Sequence, residues 1–336
     1  MMQYSGLGDL ASHFSSSRNN TRIRTELDRL AHELSTGKHA DLARQLTTSA
    51  DRVPDTTRAL QLGRTSLQTA GLLADRLDVA QLSLGAVAAT RETLFESITA
   101  LSQSSGNAWH GTSAGLGAEA LADIVSALNT RFAGTAVFSG VAEDQTPFAD
   151  ADTILTDIRT NVAGLTTAQD VVDAVNSWFD DAGGGFETIA YQGDQGALAT
   201  RQIDDTTRVT LDARGDDAGI REVMKGAVLA ALADDTGMAL PDAERDALVF
   251  RATDQLLAAS APLVDLQARV GADQERTEDA RARITAEVSA YEIMYNNLVG
   301  ADPFETASEL EQMQLQLETH YAVTARLSQL SLTRYL

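Results

Sequence analysis

The residues most suggestive of catalysis form a Gly-x-Ser-x-Gly pentapeptide at Gly111–Gly115. In serine hydrolases this pattern places the serine on a tight turn between a strand and a helix, where its hydroxyl is exposed as a nucleophile. Here the preceding residues 102–109 are polar and show no strand pattern, and a neighbouring His110 does not by itself make a triad. We therefore interpret residues 104–117 as a flexible interhelical loop and predict no catalytic residues.

Patterns associated with cofactors and metals are also present, but none has the context that binding requires. Gly6–Ala11 and Gly115–Ala120 read Gly-x-Gly-x-x-Ala, yet no strand pattern precedes either segment, as a dinucleotide site would need. The five histidines show no helical i, i+4 pair and no acidic partner pattern for zinc. The paired aspartates lack the alternating loop of a calcium site. We therefore predict no cofactor, no metal and no small-molecule substrate.

The negative charge of the chain is concentrated in its middle. The 336 residues carry a formal net charge of −22; residues 1–60 have 8 basic and 7 acidic groups, and residues 134–250 have 7 basic and 22 acidic groups. A surface this acidic repels phosphate backbones, which argues against nucleic acid as a partner.

Membrane insertion and a cleaved signal peptide are not expected either. The longest uncharged runs fall far short of the roughly 20 residues that span a bilayer. Met1–Tyr4 has no basic region followed by an apolar stretch, as a cleavable signal would have.

Near both ends of the chain, apolar residues repeat every three to four positions, which is typical of helices that pack against other helices. The same spacing runs from Thr56 to about Ser104. Such seams stay dry only against a partner helix, so we predict long antiparallel helices from both termini that form a coiled-coil rod. The repeating residues at the two ends are Ile23, Leu27, Leu30 and Leu34, then Ile284, Val288, Tyr291, Tyr295 and Leu298, and finally Leu310, Met313 and Leu317.

From Gly134 to about Gly219, glycine, aspartate and threonine interrupt the helical pattern. Short β-prone runs lie at 136–138, 188–191 and 208–211, and residues 167–179 have helical spacing. The sequence therefore predicts a mainly α-helical fold with a small α/β insertion in its middle. The predicted domains are an N-terminal assembly helix and linker (1–55), the N-terminal part of the helical rod (56–133), a small α/β outer domain (134–219), the returning part of the rod (220–299) and a C-terminal assembly helix (300–336).

Apolar positions on the two terminal helices are predicted to carry assembly between copies of the chain. Isolated helices with narrow apolar stripes are marginal in water, whereas each buried Leu or Ile contributes about 1.5–3 kcal/mol. Ordinary core packing of a soluble bundle is the alternative interpretation of the same positions. The predicted assembly residues are Leu10, Phe14, Ile23, Leu27, Leu30, Leu34, Leu310, Met313, Leu317, Leu327 and Leu332.

Several short motifs, in their order and distance from the termini, resemble the bacterial flagellin superfamily, and within it the family of hook-filament junction proteins. The Leu-Ser-Thr-Gly turn that closes the first flagellin helix is similar to residues 34–37, and the break before the last helix is similar to residues 297–307 with Asp302 in its centre. The other matching segments are Leu266–Ala272, Ser331–Leu336, Phe138–Gly140 with Thr146–Phe148, and Tyr191–Asp194.

This resemblance implies a non-enzymatic structural protein of the bacterial flagellum that self-assembles through its terminal helices and adapts the filament to the hook. Its implied partners are copies of itself, an adjacent hook-associated protein, flagellin and a flagellar export chaperone. It also implies an extracellular location, reached through the flagellar type III apparatus. Two alternatives remain open: a flagellin that forms the filament itself and, from a different class, an intracellular coiled-coil scaffold or signalling protein.

Overall fold

A computed structural model describes residues 5–42, 52–102, 109–196, 198–211 and 213–332, with the side chains of residues 5–10, 12 and 327–332 left aside. The chain divides into two compact units. One unit contains residues 1–64 and 286–336, and the other contains residues 65–285.

The unit that contains both termini is built from helices. Its elements are α1 (Ser5–Thr36), the first turns of α2 (Arg52–Ser102), the last turns of α8 (Ser260–Val299) and α9 (Pro303–Leu332). The first helix is longer at its N-terminal side than the Ser15–Ser35 segment that apolar spacing predicts. The start of α9 at Pro303 agrees with the predicted start, because Asp302 caps the helix and proline suits its first turn.

The central unit is organised around a buried helix, α6 (Ala218–Ala231), which packs between α3 (Trp109–Leu128) and α7 (Asp242–Ala258). Glycines allow these helices to approach closely. A Cβ added at Gly117 in α3 would lie 2.4 Å from the backbone nitrogen of Ala231, and one added at Gly226 would lie 2.6 Å from Leu256 Cδ2. Because α6 is surrounded by other elements, its sequence is apolar on nearly every side.

The predicted α/β insertion contains short elements between α3 and α6. Its helices are α4 (Ala151–Val162) and α5 (Ala168–Asp180), where Thr167 caps α5 through the Asp170 amide. Its two antiparallel hairpins pair β1 (Arg131–Phe132) with β2 (Thr135–Ala136), and β3 (Thr200–Gln202) with β4 (Arg208–Thr210). The turn of the first hairpin consists of Ala133 and Gly134, both at positive φ, as two-residue hairpin turns prefer.

An aromatic cluster holds this insertion together. Phe148, Phe179, Phe186 and Tyr191 are buried with their ring centres about 5.5–6.1 Å apart, which is the usual spacing of packed aromatic pairs. The Tyr191 hydroxyl donates a hydrogen bond to the carbonyl oxygen of Phe138 at 3.0 Å. Burial accordingly raises the pKa of the Tyr191 hydroxyl above its ordinary value.

Two local predictions were wrong. The predicted strand at 188–191 is instead the end of a π-helical turn, Phe186–Ala190, in which the Tyr191 amide bonds to the Phe186 carbonyl at 2.8 Å. Burial of Phe186 and Ala190 against the cluster outweighs local β propensity here. The predicted loop at 104–117 is also wrong from residue 109 onward, because α3 begins at Trp109.

Candidate assembly surface of the terminal helices

The terminal helices α1 and α9 pack against each other within the same chain. Ile23 and Leu30 of α1 are buried, and Leu27 is half-buried. From α9, Met313 lines a small cavity together with Ile23. The predicted apolar seam therefore packs within the chain, as expected for a pair of amphipathic helices.

The turn after α1 and the break before α9 form a short antiparallel bridge. Gly37 has a φ of +65°, which favours glycine, and its amide bonds to the Glu33 carbonyl at 2.7 Å. The His39 amide then donates to the Val299 carbonyl at 2.8 Å, and the Ala301 amide donates to the Gly37 carbonyl at 3.0 Å. Two motifs about 260 residues apart in the sequence are thus joined by backbone hydrogen bonds.

Glu33 is the buried charged group of this joint, with only 2% of its surface exposed. Its carboxylate accepts hydrogen bonds from the Ala40 amide at 3.0 Å and from the Arg29 guanidinium, and it lies 3.4 Å from His39 Nδ1. Burial raises the pKa of the Glu33 carboxyl, but the Ala40, Arg29 and His39 hydrogen bonds outweigh burial and hold the pKa below its ordinary value. The carboxylate therefore ties α1 to the turn that follows it.

The parts of α2 and α8 in this unit also contact each other. A Cβ added at Gly63 would lie 2.6 Å from Val288 Cγ2, so the two helices approach closely at this glycine. Arg64 and Glu292 form an exposed ion pair at 2.7 Å. The Lys38 ammonium lies 5.4 Å from the centre of the Tyr295 ring, which links the α1 turn to α8.

Large apolar side chains remain exposed on the same helices. Phe304 and Phe14 are 83% and 70% exposed, and Leu315 is 65% exposed. These side chains would be removed from water if another molecule covered the helices. Tyr321, Val323, Ile293 and Met294 are exposed in the same unit.

The predicted assembly residues whose side chains the structure describes fall into three groups. Ile23 and Leu30 are buried within the chain, and Phe14 and Leu34 are exposed. The half-buried members are Leu27, Leu310, Met313 and Leu317. The side chains of Leu10, Leu327 and Leu332 lie outside the described residues.

The seam pattern did not single out Phe304, Leu315 or Val323, because these residues lie off the heptad stripe. Their only signal in the sequence is a large apolar residue placed away from that stripe on a terminal helix. The role of all these positions in assembly stays a prediction.

The structure describes the serine of the Gly-x-Ser-x-Gly segment and the histidine that precedes this segment. Ser113 lies inside α3 and is fully buried, and His110 bonds to the Asp246 carboxylate at 2.7 Å. Among the described residues, no group of three or more histidine, aspartate or glutamate side chains could hold a metal ion. Within the same residues, no helix has the length and apolar character needed to cross a bilayer.

Residues 253–336, which include α8, the Gly300 break and α9, match the family model of the bacterial flagellin C-terminal helical region. This C-terminal segment is therefore similar to the C-terminal helical region of flagellins. This match confirms the resemblance to the flagellin superfamily that the sequence motifs indicated.

Two solved structures share the fold of this chain. The crystal structure of FlgL from Bacillus cereus is similar with a TM-score of 0.50 and 13% identity, over 72% of this chain and 99% of that one. A protein of Vibrio parahaemolyticus described as a flagellar hook-associated protein is similar with a TM-score of 0.51 and 8% identity, over 75% of this chain and 99% of that one. These similarities confirm the predicted mainly α-helical, flagellin-like fold class. A search of curated protein sequences finds no match.

Proposed function

We propose that this protein is a non-enzymatic structural subunit of the bacterial flagellum that self-assembles through its terminal helices. One observation carries the proposal. The flagellin-type helix α9 packs on α1 and yet leaves large apolar side chains such as Phe304 in solvent. Burial of those side chains between copies would stabilise an assembly by about 1.5–3 kcal/mol for each fully buried large apolar side chain.

Within the flagellum, we propose the role of a junction subunit between hook and filament. This role is supported by the fold, which is similar to that of FlgL and of a hook-associated protein along almost their full length. The partners in this role are further copies of the chain, the adjacent hook-associated protein and flagellin. An export chaperone would hold the chain before it leaves the cell through the flagellar type III apparatus.

Deletion of the gene, followed by electron microscopy of the cell surface, tests the junction role. We expect hooks without filaments and flagellin released into the medium, and restoration of filaments by the wild-type gene. Normal filaments on the deletion strain would contradict the proposal.

Complementation with two exposed phenylalanines replaced in turn tests the use of the terminal helices. Phe304→Glu places a charge on α9, and Phe250→Glu places the same charge at a 55% exposed site on α7 in the central unit. We expect Phe304→Glu to leave hooks bare and Phe250→Glu to restore filaments. Equal behaviour of the two variants would contradict assembly through α9.

A filament subunit is the second candidate, because the matched family model is that of flagellin itself. Purified flagellin is expected to extend seeds into long filaments, whereas a junction subunit is expected to add a short segment and stop. The lengths of seeded polymers measured by electron microscopy therefore separate the two roles. Recovery of the intact chain from culture medium would further separate both from an intracellular scaffold protein.

A further inference from the structure

Charge is segregated along the α1/α9 helix pair. We define its basic end as residues 11–24 and 313–326, and its acidic end as residues 25–41 and 302–312. The basic end carries four arginines and one glutamate, a net charge of +3, and the acidic end carries eight carboxylates, one arginine and one lysine, a net charge of −6. At each end, the range that includes α1 residues and the range that includes α9 residues are neighbours in the structure. Arg24 bonds to the Tyr321 hydroxyl at 2.7 Å, and the ion-pair distance from Arg29 to Glu309 is 4.0 Å.

An open groove lies at each end of this helix pair. The groove at the basic end, of about 540 Å³, is lined by Arg18, Arg22 and His320 among others. Within the described residues, no ion pair joins Arg18, Arg22 or Arg24 to a carboxylate, so the charge of this end is directed to solvent.

The groove at the acidic end, of about 230 Å³, is lined by carboxylates from both helices. Glu26 and Glu33 come from α1, and Glu305 and Glu309 come from α9. The Arg29 guanidinium forms ion pairs with Glu26 and Glu33 and so neutralises part of the negative charge in this groove. The remaining charge is opposite in sign to that of the basic end.

Both ends also carry exposed apolar side chains. Phe14 is 70% exposed and Val323 is 51% exposed at the basic end, and Phe304 is 83% exposed and Leu34 is 40% exposed at the acidic end. A contact between opposite ends would bury apolar surface and pair opposite charges at the same time. Contacts between like ends would bring together charges of the same sign, which disfavours them.

We propose that the terminal helix pairs of neighbouring copies contact each other head to tail, with the basic end of one copy on the acidic end of the next. The occupant of each groove is thus a second copy of this chain. A head-to-tail contact uses two different surfaces, so it closes into a ring where the rotation between copies permits and otherwise leaves one of each surface at the ends of the oligomer. This inference rests on the proposed function, because it specifies the contact by which the subunits would assemble.

Charge reversal at each end tests the contact. The variant R18E/R22E changes the net charge of the basic end from +3 to −1, so that both ends are acidic. The variant D28K/E305K/E309K/E311K changes the net charge of the acidic end from −6 to +2, so that both ends are basic. Each variant alone is expected to raise the critical concentration for self-assembly, measured by sedimentation, at least about tenfold. The control variant R208E/R251E makes the same change in charge as R18E/R22E, but at two exposed arginines of the central unit. It is expected to assemble like the wild type.

Mixing and combining the reversed variants gives the decisive result. An equimolar mixture of R18E/R22E and D28K/E305K/E309K/E311K is expected to assemble again, because every contact between the two variants then joins opposite charges. The variant with all six changes has ends of −1 and +2 and is expected to assemble alone for the same reason. Rescue that stops at a dimer in the mixture would indicate antiparallel pairing and overturn the head-to-tail arrangement.

Failure of this inference is distinguishable from failure of the proposed function. If the wild type assembles and R18E/R22E assembles at the same concentration, the charged contact is wrong and the structural role remains. If the wild type forms no oligomer and adds to no hook, the proposed function itself is wrong. Helical content by circular dichroism verifies that each variant is folded before either conclusion is drawn.

Discussion

Glu33 links the end of α1 to the turn that meets the α8–α9 break. Its buried carboxylate accepts hydrogen bonds from the Ala40 amide and the Arg29 side chain. A buried acceptor with partners of this kind stabilises a joint mainly because its removal leaves those donors unpaired. The side chain is therefore expected to control the local stability of the turn more than the stability of the central unit.

Replacement of Glu33 by alanine is expected to destabilise this joint by about 1–3 kcal/mol, because the Ala40 amide loses its acceptor. Amide exchange at Ala40 and Gly37 should become faster, while exchange in α6 stays unchanged. Glu33→Gln keeps an oxygen acceptor, so its amide exchange rates at Ala40 and Gly37 should lie between those of Glu33→Ala and the wild type. Glu311→Gln, at an exposed site on α9, is the control and should leave exchange unchanged. Equal exchange at Ala40 in all variants would contradict this role.

The depressed pKa of Glu33 also predicts a pH dependence. Because the folded-state pKa lies below the unfolded value of about 4.3, the stabilisation is complete above that value and is lost as pH falls through the folded-state pKa. An NMR titration of the Glu33 side-chain carboxyl should give a midpoint below that of an unstructured glutamate. A midpoint at or above the ordinary value would show that the bonds from Ala40 and Arg29 do not dominate.

At the residue scale, the sequence predicted the two segments that meet at this joint but not the buried side chain that ties α1 to its turn. The motifs around Gly37 and Asp302 were visible because turns and helix caps depend on local residue types. The sequence analysis did not identify Glu33, because its bonds to the Ala40 amide and to His39 form only when the chain turns after α1. Nothing local distinguishes a buried glutamate in a helix from a solvated one.

At the scale of elements, the closest helix contact that the glycines reveal lies between α3 and α6. Gly115 and Gly117 are two positions apart in α3, but only Gly117 faces α6. At Gly115 an added Cβ would meet nothing within 4 Å. The two glycines therefore form a matched pair for measuring the effect of close packing.

Gly117→Ala is expected to destabilise the central unit by about 1–3 kcal/mol, because the new Cβ would overlap the backbone of Ala231 and Ala227. Gly115→Ala should instead stabilise it by about 0.5–1 kcal/mol, because alanine favours the helix. Thermal unfolding followed by circular dichroism measures both changes. A similar shift in the two variants would contradict the packing of α3 on α6.

The same glycines explain why the sequence predicted a loop where α3 begins. Three glycines within seven residues lower helix propensity and are typical of interhelical loops. Packing against α6 reverses that preference, because Gly117 is favourable where two helix backbones meet. Long helices with regular apolar spacing, such as α2 and α8, were predicted from sequence because their pattern is repeated over many turns.

At the scale of the whole molecule, charge and apolar surface are distributed unevenly. The terminal unit leaves large apolar residues in solvent and carries opposite charges at the two ends of its helix pair. The strongly acidic residues 134–250 lie within the central unit. We expect this negative charge to disfavour contacts between central units and so to direct association toward the terminal helices, an effect that is screened by salt beyond about 8 Å at physiological ionic strength.

The sequence predicted which helices could associate, but it did not separate intramolecular from intermolecular contacts. Ile23 and Phe14 occur on the same helix, yet the first is buried in the chain and the second is exposed. A heptad pattern identifies an apolar seam and carries no information on whether the partner helix belongs to the same chain. The exposed fraction of each side chain in the folded chain distinguishes a residue that packs within the chain from one that is free to contact another copy.

Hydrogen exchange of the free subunit and of the assembled polymer tests the central claim most directly. We predict that amides of residues 11–36 and 303–326 become at least about tenfold more protected on assembly, because neighbouring copies bury these helices and suppress their local opening. Amides of α6, which are already buried, should change little. Equal exchange of both terminal helices in the free and assembled states would contradict assembly through the chain ends.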